Sequence, residues 1–398
     1  MHLTIFITQM AGGGMERFAA TVCNSLVMQN RDVLLCALHP PPASHDSTGW
    51  LDEGVSYRTL NRAAKWSAPA LRRVCREHPE DPVLALSLEI GVVLVTLKKL
   101  GLIRNPVLYR ESTAVLAHNP PRWRWLIRHV ISKTDGLILQ TKQSHEDLRA
   151  LFDPIQPVLH LRNPCELLQK QKGQKGSARE LQKGSARELC AFGNNKNVTD
   201  KSAQLHGLTP FARSPPFVRL LVMGRMEKMK GHERMLRAMP GVLSRIPGAL
   251  LSFVGSGSLE TMLRETTASL GLEEAVNFAG FQPDPVPFYM ESDILVLPSD
   301  YEGMPNVIPE ALACGCRIIA ADGAGGIREL MEDLGLADFL VPLERFEELL
   351  PTYVEKALAT DPAYWDKARE RLRDQMDPEK TAESLWEFAN GARTFLSV

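Results

Sequence analysis

The sequence predicts two α/β units in tandem, each built on a parallel sheet, with helices closing the chain. Three observations carry this. Short apolar or β-branched runs alternate with longer amphipathic stretches from Leu3 to about Pro342, the pattern of parallel α/β architecture. The alternation stops after His160 and restarts at Phe217. Between these points lies a stretch rich in Gln, Lys, Gly, Ser and Asn, a composition that buries little apolar surface.

In the first unit the runs Leu3–Thr8, Asp32–Leu38, Val83–Ser87, Pro106–Arg110, Gly136–Gln140 and Gln156–His160 read as strands. Met15–Gln29, Gly91–Leu100, Arg122–Thr134 and Gln143–Leu151 repeat their apolar residues at helical spacing. The second unit offers strands at Phe217–Met223, Ala249–Val254, Ala275–Ala279, Asp293–Leu297 and Arg317–Ala320. After Pro342 the pattern is helical, anchored by Tyr364, Trp365 and Trp386. The expected domains are residues 1–165, a linker at 166–216 and residues 217–398. Within the linker, Gln174–Leu181 and Gln182–Leu189 both read QKGSAREL. Two copies of eight residues are too few for a solenoid and read as a duplication in a tolerant segment.

Bulk properties exclude several classes. The 398 residues are 44% hydrophobic and 23% charged, as in ordinary globular proteins. The formal charge of −1 hides an asymmetry: residues 1–162 carry +5, 163–217 carry +5 and the remainder −11. Chance on solvated surfaces and an anionic membrane or acceptor facing the first unit both account for this. Seven cysteines without a C-x-x-C pair argue against a disulfide framework and a zinc site, and no metal ligand set is expected. The start of the chain reads as a strand, with no signal-peptide pattern. No apolar run reaches the ~18 residues of a membrane span. The expected location is therefore cytoplasmic, with any membrane contact peripheral.

The most informative stretch is Asp293–Gly315, DILVLPSDYEGMPNVIPEALACG. A strand ends near Pro298, a loop carries Glu302, Gly303, Met304 and Pro305, and a helix starts with Asn306 as its expected cap. Glu302 thus stands at the carboxyl end of a strand, where open α/β sheets bind ligands. Glu310 falls on the same helical face as Asn306. Backbone N–H groups between Gly303 and Val307 suit a diphosphate, and a carboxylate can accept from two vicinal sugar hydroxyls. An acidic first turn favoured by the helix dipole is the competing reading. A second strand-to-helix turn, Gly224-Arg225-Met226-Glu227-Lys228-Met229-Lys230-Gly231, places Arg225 and Lys230 where two cations would neutralise a pyrophosphate and the charge that grows as it leaves. The glycine-rich loop Ala11-Gly12-Gly13-Gly14-Met15-Glu16-Arg17 admits a sugar or phosphate close to the backbone. Arg110 and Glu111 follow a strand, as an ordinary ion pair or as cleft residues. Pro120–Lys133, PPRWRWLIRHVISK, suits either a helix on an anionic membrane or core packing with snorkelling arginines.

Taken together, the GGGMER loop, Arg110-Glu111, MGRMEKMKG and EGMPNVIPEALACG resemble those of retaining glycosyltransferases of family 4, of the type that builds polysaccharides and lipid-linked glycans. The resemblance implies the GT-B fold, α/β with two Rossmann-like domains whose parallel sheets face each other across a cleft, and C-terminal helices. It implies that Arg225 and Lys230 grip the donor pyrophosphate and Glu310 the ribose. Glu302 and the backbone of Gly303, Met304, Pro305, Asn306 and Val307 would hold the donor sugar. Gly13 and Gly14 would approach the donor phosphates and the acceptor, Phe281 would lie by the base, and Arg110 and Glu111 would stand on the acceptor side. The implied partners are a nucleotide-diphosphate sugar, UDP-linked ahead of other bases, and a glycan or lipid-linked acceptor, with an anionic membrane surface beside them. No cofactor, metal or nucleic acid is expected. Departures from the family pattern are the long linker and Pro309 before Glu310, a position where a proline is tolerated.

Two other classes compete with sugar transfer: a nucleotide-sugar epimerase of the same fold and a non-catalytic nucleotide-sugar-binding protein. A dinucleotide dehydrogenase is excluded by spacing, because Arg17 stands where the third glycine belongs and His39 ends the next strand in place of an acid. No Walker-type loop is present.

Overall fold

The computed structural model describes residues 1–11, 13–41, 46–61, 67–111, 121–168 and 218–394. The QKGSAREL repeats lie outside the described residues, as do Gly12 and His118. The first unit runs β1 (His2–Ile7), α1 (Gly14–Met28), β2 (Asp32–Ala37), β3 (Ser56–Thr59), α2 (Ala68–Cys75), β4 (Val83–Ala85), α3 (Leu88–Lys99), β5 (Val107–Glu111), α4 (Pro121–His129), β6 (Gly136–Leu139), α5 (Lys142–Leu151) and β7 (Val158–His160). The second runs β8 (Arg219–Met223), α6 (His232–Arg245), β9 (Leu250–Val254), α7 (Glu260–Ser269), β10 (Val276–Gly280), α8 (Val286–Glu291), β11 (Ile294–Leu297), β12 (Tyr301–Glu302), α9 (Val307–Ala313), β13 (Arg317–Ala321), β14 (Ala324–Gly325), α10 (Ile327–Asp333) and β15 (Leu340–Val341). Three longer helices follow: α11 (Phe346–Ala359), α12 (Pro362–Gln375) and α13 (Pro378–Thr394).

Both large sheets are parallel in the strand pairs that build them. Their orders are β3-β2-β1-β4-β5-β6-β7 and β10-β9-β8-β11-β13-β15. Each reverses direction beside its first strand, at β1/β4 and at β8/β11. Such a switch point opens a crevice at the carboxyl ends of the strands. The apolar runs become central strands for the reason the sequence suggested: the neighbours Ile5 and Phe6, and likewise Ile294 and Leu295, point to opposite faces and all are buried, so helices cover both faces of each sheet.

The expected domain boundaries need correction at two points. Cys165 and Leu168 pack in the core of the second unit, so the chain crosses between units before residue 165. The last helix, α13, was expected in the second unit and instead returns to the first. Its Ala382, Leu385, Trp386, Ala389 and Ala392 recur at helical spacing and join the core of β1, β2 and α1. The two crossings run side by side, with the Cys165 N–H donating to the Met376 carbonyl at 2.9 Å. Helix α4 also ends at His129, five residues short of the expected Thr134.

Candidate active site in the cleft

The two switch points face each other, and the described loops meet across the gap. Gly13 starts α1 in extended conformation, and the first turn carries Arg17 toward the second unit. Arg17 Nη1 donates to Glu310 Oε1 at 2.6 Å. The other carboxylate oxygen of Glu310 accepts from the Tyr289 hydroxyl at 2.8 Å. Burial works to lower the pKa of Arg17, yet the nearby Glu310 and Tyr289 hold it above its ordinary value. Burial first, and Glu310 beside it, raise Tyr289 well above the usual phenol range, so its hydroxyl stays a donor. Arg17 also lies over the Trp50 ring, 4.9 Å from its centroid.

Asn306 occupies the cap position of α9, as expected, but its side chain caps nothing. It turns across the cleft, where its Oδ1 accepts from Asn163 Nδ2 at 2.7 Å. Gly14 stands against its far side: a Cβ there would come within 2.9 Å of Asn306 Nδ2. Between these contacts the cleft narrows to a cavity of about 20 Å³, lined among others by Arg17, Asn163, Asn306 and Glu310. That volume is about one water. A second set of contacts lies at α10, where Glu329 accepts from the Lys142 N–H at 2.9 Å and Arg162 pairs with Asp333.

On the floor of the second unit, Lys230 Nζ donates to both oxygens of Glu302 at 2.7 and 2.8 Å, and Ser299 Oγ donates to Oε1 at 2.9 Å. Lys230 is delivered by a tight turn that requires Gly231, whose φ is +69°. A Cβ there would also meet the Pro298 carbonyl oxygen at 1.9 Å. Arg225 is exposed at the same turn; its carbonyl accepts from the Glu227 N–H at 2.8 Å, and its guanidinium makes no hydrogen bond or ion pair with the described residues. Gly303, Met304, Pro305 and Val307 follow Glu302 along the loop into α9. Phe281 directly follows β10, half exposed, and that strand stands three positions from β11, about 14 Å across the sheet.

The structure thus gathers Arg17, Glu310, Asn306 and Gly14 in one place and Lys230, Glu302 and Arg225 beside the adjacent strand ends. Arg110 and Glu111 stand at the end of β5 and are buried, at 1% and 3% exposure. The strand turns both inward: Arg110 stacks 3.7 Å from the Phe18 ring centroid, and Glu111 accepts from the Tyr109 hydroxyl at 2.7 Å. Two residues that sequence reasoning left unassigned are Arg17 and Asn163. The signal for the first was an arginine one turn into the helix after a glycine-rich loop. That for the second was Asn-Pro directly beyond a strand end.

Residues 214–375 match the family model of glycosyl transferases group 1. Over 114 residues the chain is 32% identical to the N-acetylgalactosamine-N,N'-diacetylbacillosaminyl-diphospho-undecaprenol 4-alpha-N-acetylgalactosaminyltransferase of Campylobacter jejuni, covering 29% of this chain and 30% of that one. It is 32% identical over 126 residues to the lipopolysaccharide core biosynthesis glycosyltransferase LpsE of Rhizobium meliloti, covering 30% and 36%. The chain thus aligns with about a third of each relative's length. Among solved structures, Anabaena HepE in complex with UDP and glucose superposes with a TM-score of 0.73 at 17% identity, covering 98% of this chain and all of that one. The fold is GT-B, and the family model and relatives support a glycosyltransferase.

One buried group beside the site sets a pH dependence. His232 opens α6 next to Lys230, is 1% exposed, and neither ring nitrogen has a hydrogen-bond partner among the described residues. Burial, helped by the positive charge of Lys230, lowers its pKa to about 4. Between an unfolded value of about 6.5 and that folded value, the unfolded chain takes up a proton that the folded chain refuses. Stability therefore falls as pH drops through this window and returns as pH rises. Denaturant unfolding of the wild type and His232→Leu at about pH 7 and pH 4 should show the wild type losing roughly 3 kcal/mol more than the variant. Equal losses in both proteins contradict this reading of His232.

Proposed function

We propose that this protein transfers a sugar from a nucleotide-diphosphate sugar, UDP-linked ahead of other bases, to a lipid-linked or polysaccharide acceptor, with retention at the anomeric carbon. The observation that carries the proposal is the pairing of two carboxylates with two cations at facing switch points: Glu302 with Lys230, and Glu310 with Arg17. A donor with one anionic and two polyhydroxyl parts offers partners to all four. The relatives' names support the acceptor class, one specifying a diphospho-undecaprenol and the other lipopolysaccharide core. The UDP and glucose bound by HepE support the donor class.

In this reading Arg225 and Lys230 take the diphosphate, with the backbone N–H groups of Gly303, Met304, Asn306 and Val307 adding donors and Gly13 and Gly14 closing from the other unit. Pro305 lacks an N–H and shapes the turn. As the bond from sugar to phosphate breaks, negative charge grows on the leaving oxygen, so these cations act most strongly in the transition state. They supply positive charge without a metal. Lys230 exchanges its bond with Glu302 for the phosphate, which frees Glu302 for hydroxyls of the reacting sugar. Glu310 holds the ribose, which does not react, and Phe281 lies toward the base.

Incubation with a panel of UDP-, GDP- and ADP-sugars, followed by nucleotide release, tests the assignment. One donor should respond. With it, Arg225→Ala and Lys230→Ala should each lose roughly 100-fold in kcat, as loss of one fixed transition-state donor costs about 3 kcal/mol. Glu310→Gln should mainly raise KM. Near-normal kcat in both cation variants at saturating donor removes the leaving-group role. A changed nucleotide sugar formed without acceptor favours the epimerase alternative. No turnover, with tight binding of donor, favours a binding protein.

A lipid-linked acceptor brings the enzyme to the inner face of a membrane, and α4 offers the contact. Its Ile127 is buried, while Trp125 is 58% exposed and Arg128 is exposed beside it. Among the described residues no helix is long and apolar enough to cross a bilayer. The side chain of Arg122 lies outside the described residues. Pelleting with anionic liposomes should weaken with salt and in an Arg124→Glu/Arg128→Glu variant. Equal pelleting with neutral vesicles, or none with either, contradicts electrostatic docking.

A further inference from the structure

Asn163 stands just beyond β7, at the point where the chain leaves the first unit, and it is 7% exposed. Its side-chain amide is engaged at both ends. Oδ1 accepts from an Arg110 nitrogen and from Gln140 Nε2, the latter at 2.8 Å. Nδ2 donates to Asn306 Oδ1 at 2.7 Å. Two donors converging on one oxygen fix which way the amide faces, because turning it over would set its NH₂ against a guanidinium and another NH₂. Arg110 holds this arrangement firmly. It is buried and stacked on Phe18, its Nε and Nη1 have no hydrogen-bond partner among the described residues, and although burial lowers its pKa to about 9 it keeps its charge at neutral pH.

The consequence passes to the second unit. With Asn163 presenting a donor, Asn306 must present its oxygen, and its own NH₂ is turned toward Gly14. Asn306 Nδ2 donates to no described residue, and the side chain does not cap α9. An oriented and unused donor therefore stands between the Gly13–Gly14 loop and the Gly303–Val307 loop.

We infer that Asn163 is a positioning residue that holds Asn306 Nδ2 as a hydrogen-bond donor to a phosphate oxygen of the bound nucleotide diphosphate. This rests on the donor reading given above. The buried guanidinium of Arg110 orients Asn163, Asn163 orients Asn306, and Asn306 meets the ligand. Domain closure and recognition of the diphosphate are thereby joined, because the relay exists only when the two units touch.

The test is a double-variant cycle read by calorimetric titration with UDP. Asn163→Asp keeps the volume and the acceptor for Arg110 and Gln140 but sets an oxygen against Asn306 Oδ1. Asn306 then turns its amide and offers the phosphate an oxygen. UDP affinity should fall at least tenfold, with a melting temperature near that of wild type. In an Asn306→Ala background the same substitution should change UDP affinity less than twofold, since the group it acts through is gone. Equal losses in both backgrounds, or no loss in the first, overturn the relay while leaving the donor reading intact. If the wild type binds GDP or ADP in place of UDP, the cycle is run with that nucleotide. Absence of binding by all three strikes the donor reading and the relay together.

Discussion

The ion pair between Arg17 and Glu310 is the constraint on which the site depends. It joins the first helix of one unit to the signature helix of the other, with both partners mostly withdrawn from water. A carboxylate in that position is costly to leave unpaired, and breaking such a pair by removing one partner typically costs about 3–5 kcal/mol. Separating the two units must break this pair, which leaves one carboxylate and one guanidinium facing each other across the seam. Lys230 and Glu302 repeat the arrangement within the second unit. Charges at the seam and beside it are held as pairs, which lowers the desolvation cost of keeping them partly buried.

The fold supplies the frame for this exchange. Each sheet reverses its strand order once, and each reversal delivers loops to the same cleft. Two chain crossings, one ahead of Cys165 and one ahead of α13, run against each other and join the units at a second place. Because α13 completes the core around β1 and α1, the first unit depends on the last residues of the second half for its packing. Contacts of Glu329 with Lys142 and of Asp333 with Arg162 add a further polar seam between the units. Motion that opens the cleft must break polar contacts of these two groups, while the apolar cores stay intact.

Much of this was legible in the sequence, and the rest was hidden for identifiable reasons. Central strands such as His2–Ile7 and Ile294–Leu297 are apolar throughout because both faces are covered, and such runs are conspicuous. The edge strand Ser56–Thr59 alternates polar residues and went unseen, as did the short α2. The loops at Gly13, Lys230 and Glu302 were found because glycine and charge at strand-to-helix turns carry a local physical meaning. The partner of Glu310 was not found, since 293 residues separate it from Arg17 and only tertiary structure brings them together. Arg110 and Glu111 were recognised as unusual for the right reason, charge at a strand end, but burial follows from neighbours such as Phe18 that no local pattern reveals. The return of α13 to the first unit has the same origin: its apolar stripe was visible, but nothing in it names the surface it covers.

The central claim is that one ligand site is shared by the carboxyl ends of both sheets. Hydrogen exchange measured by mass spectrometry with and without saturating UDP tests this most directly, because backbone protection reports which segments close over a ligand. The account predicts slowed exchange in two separate stretches, Gly303–Glu310 in the second unit and Gly13–Arg17 in the first. Protection confined to one unit, or found only away from both loops, would contradict it.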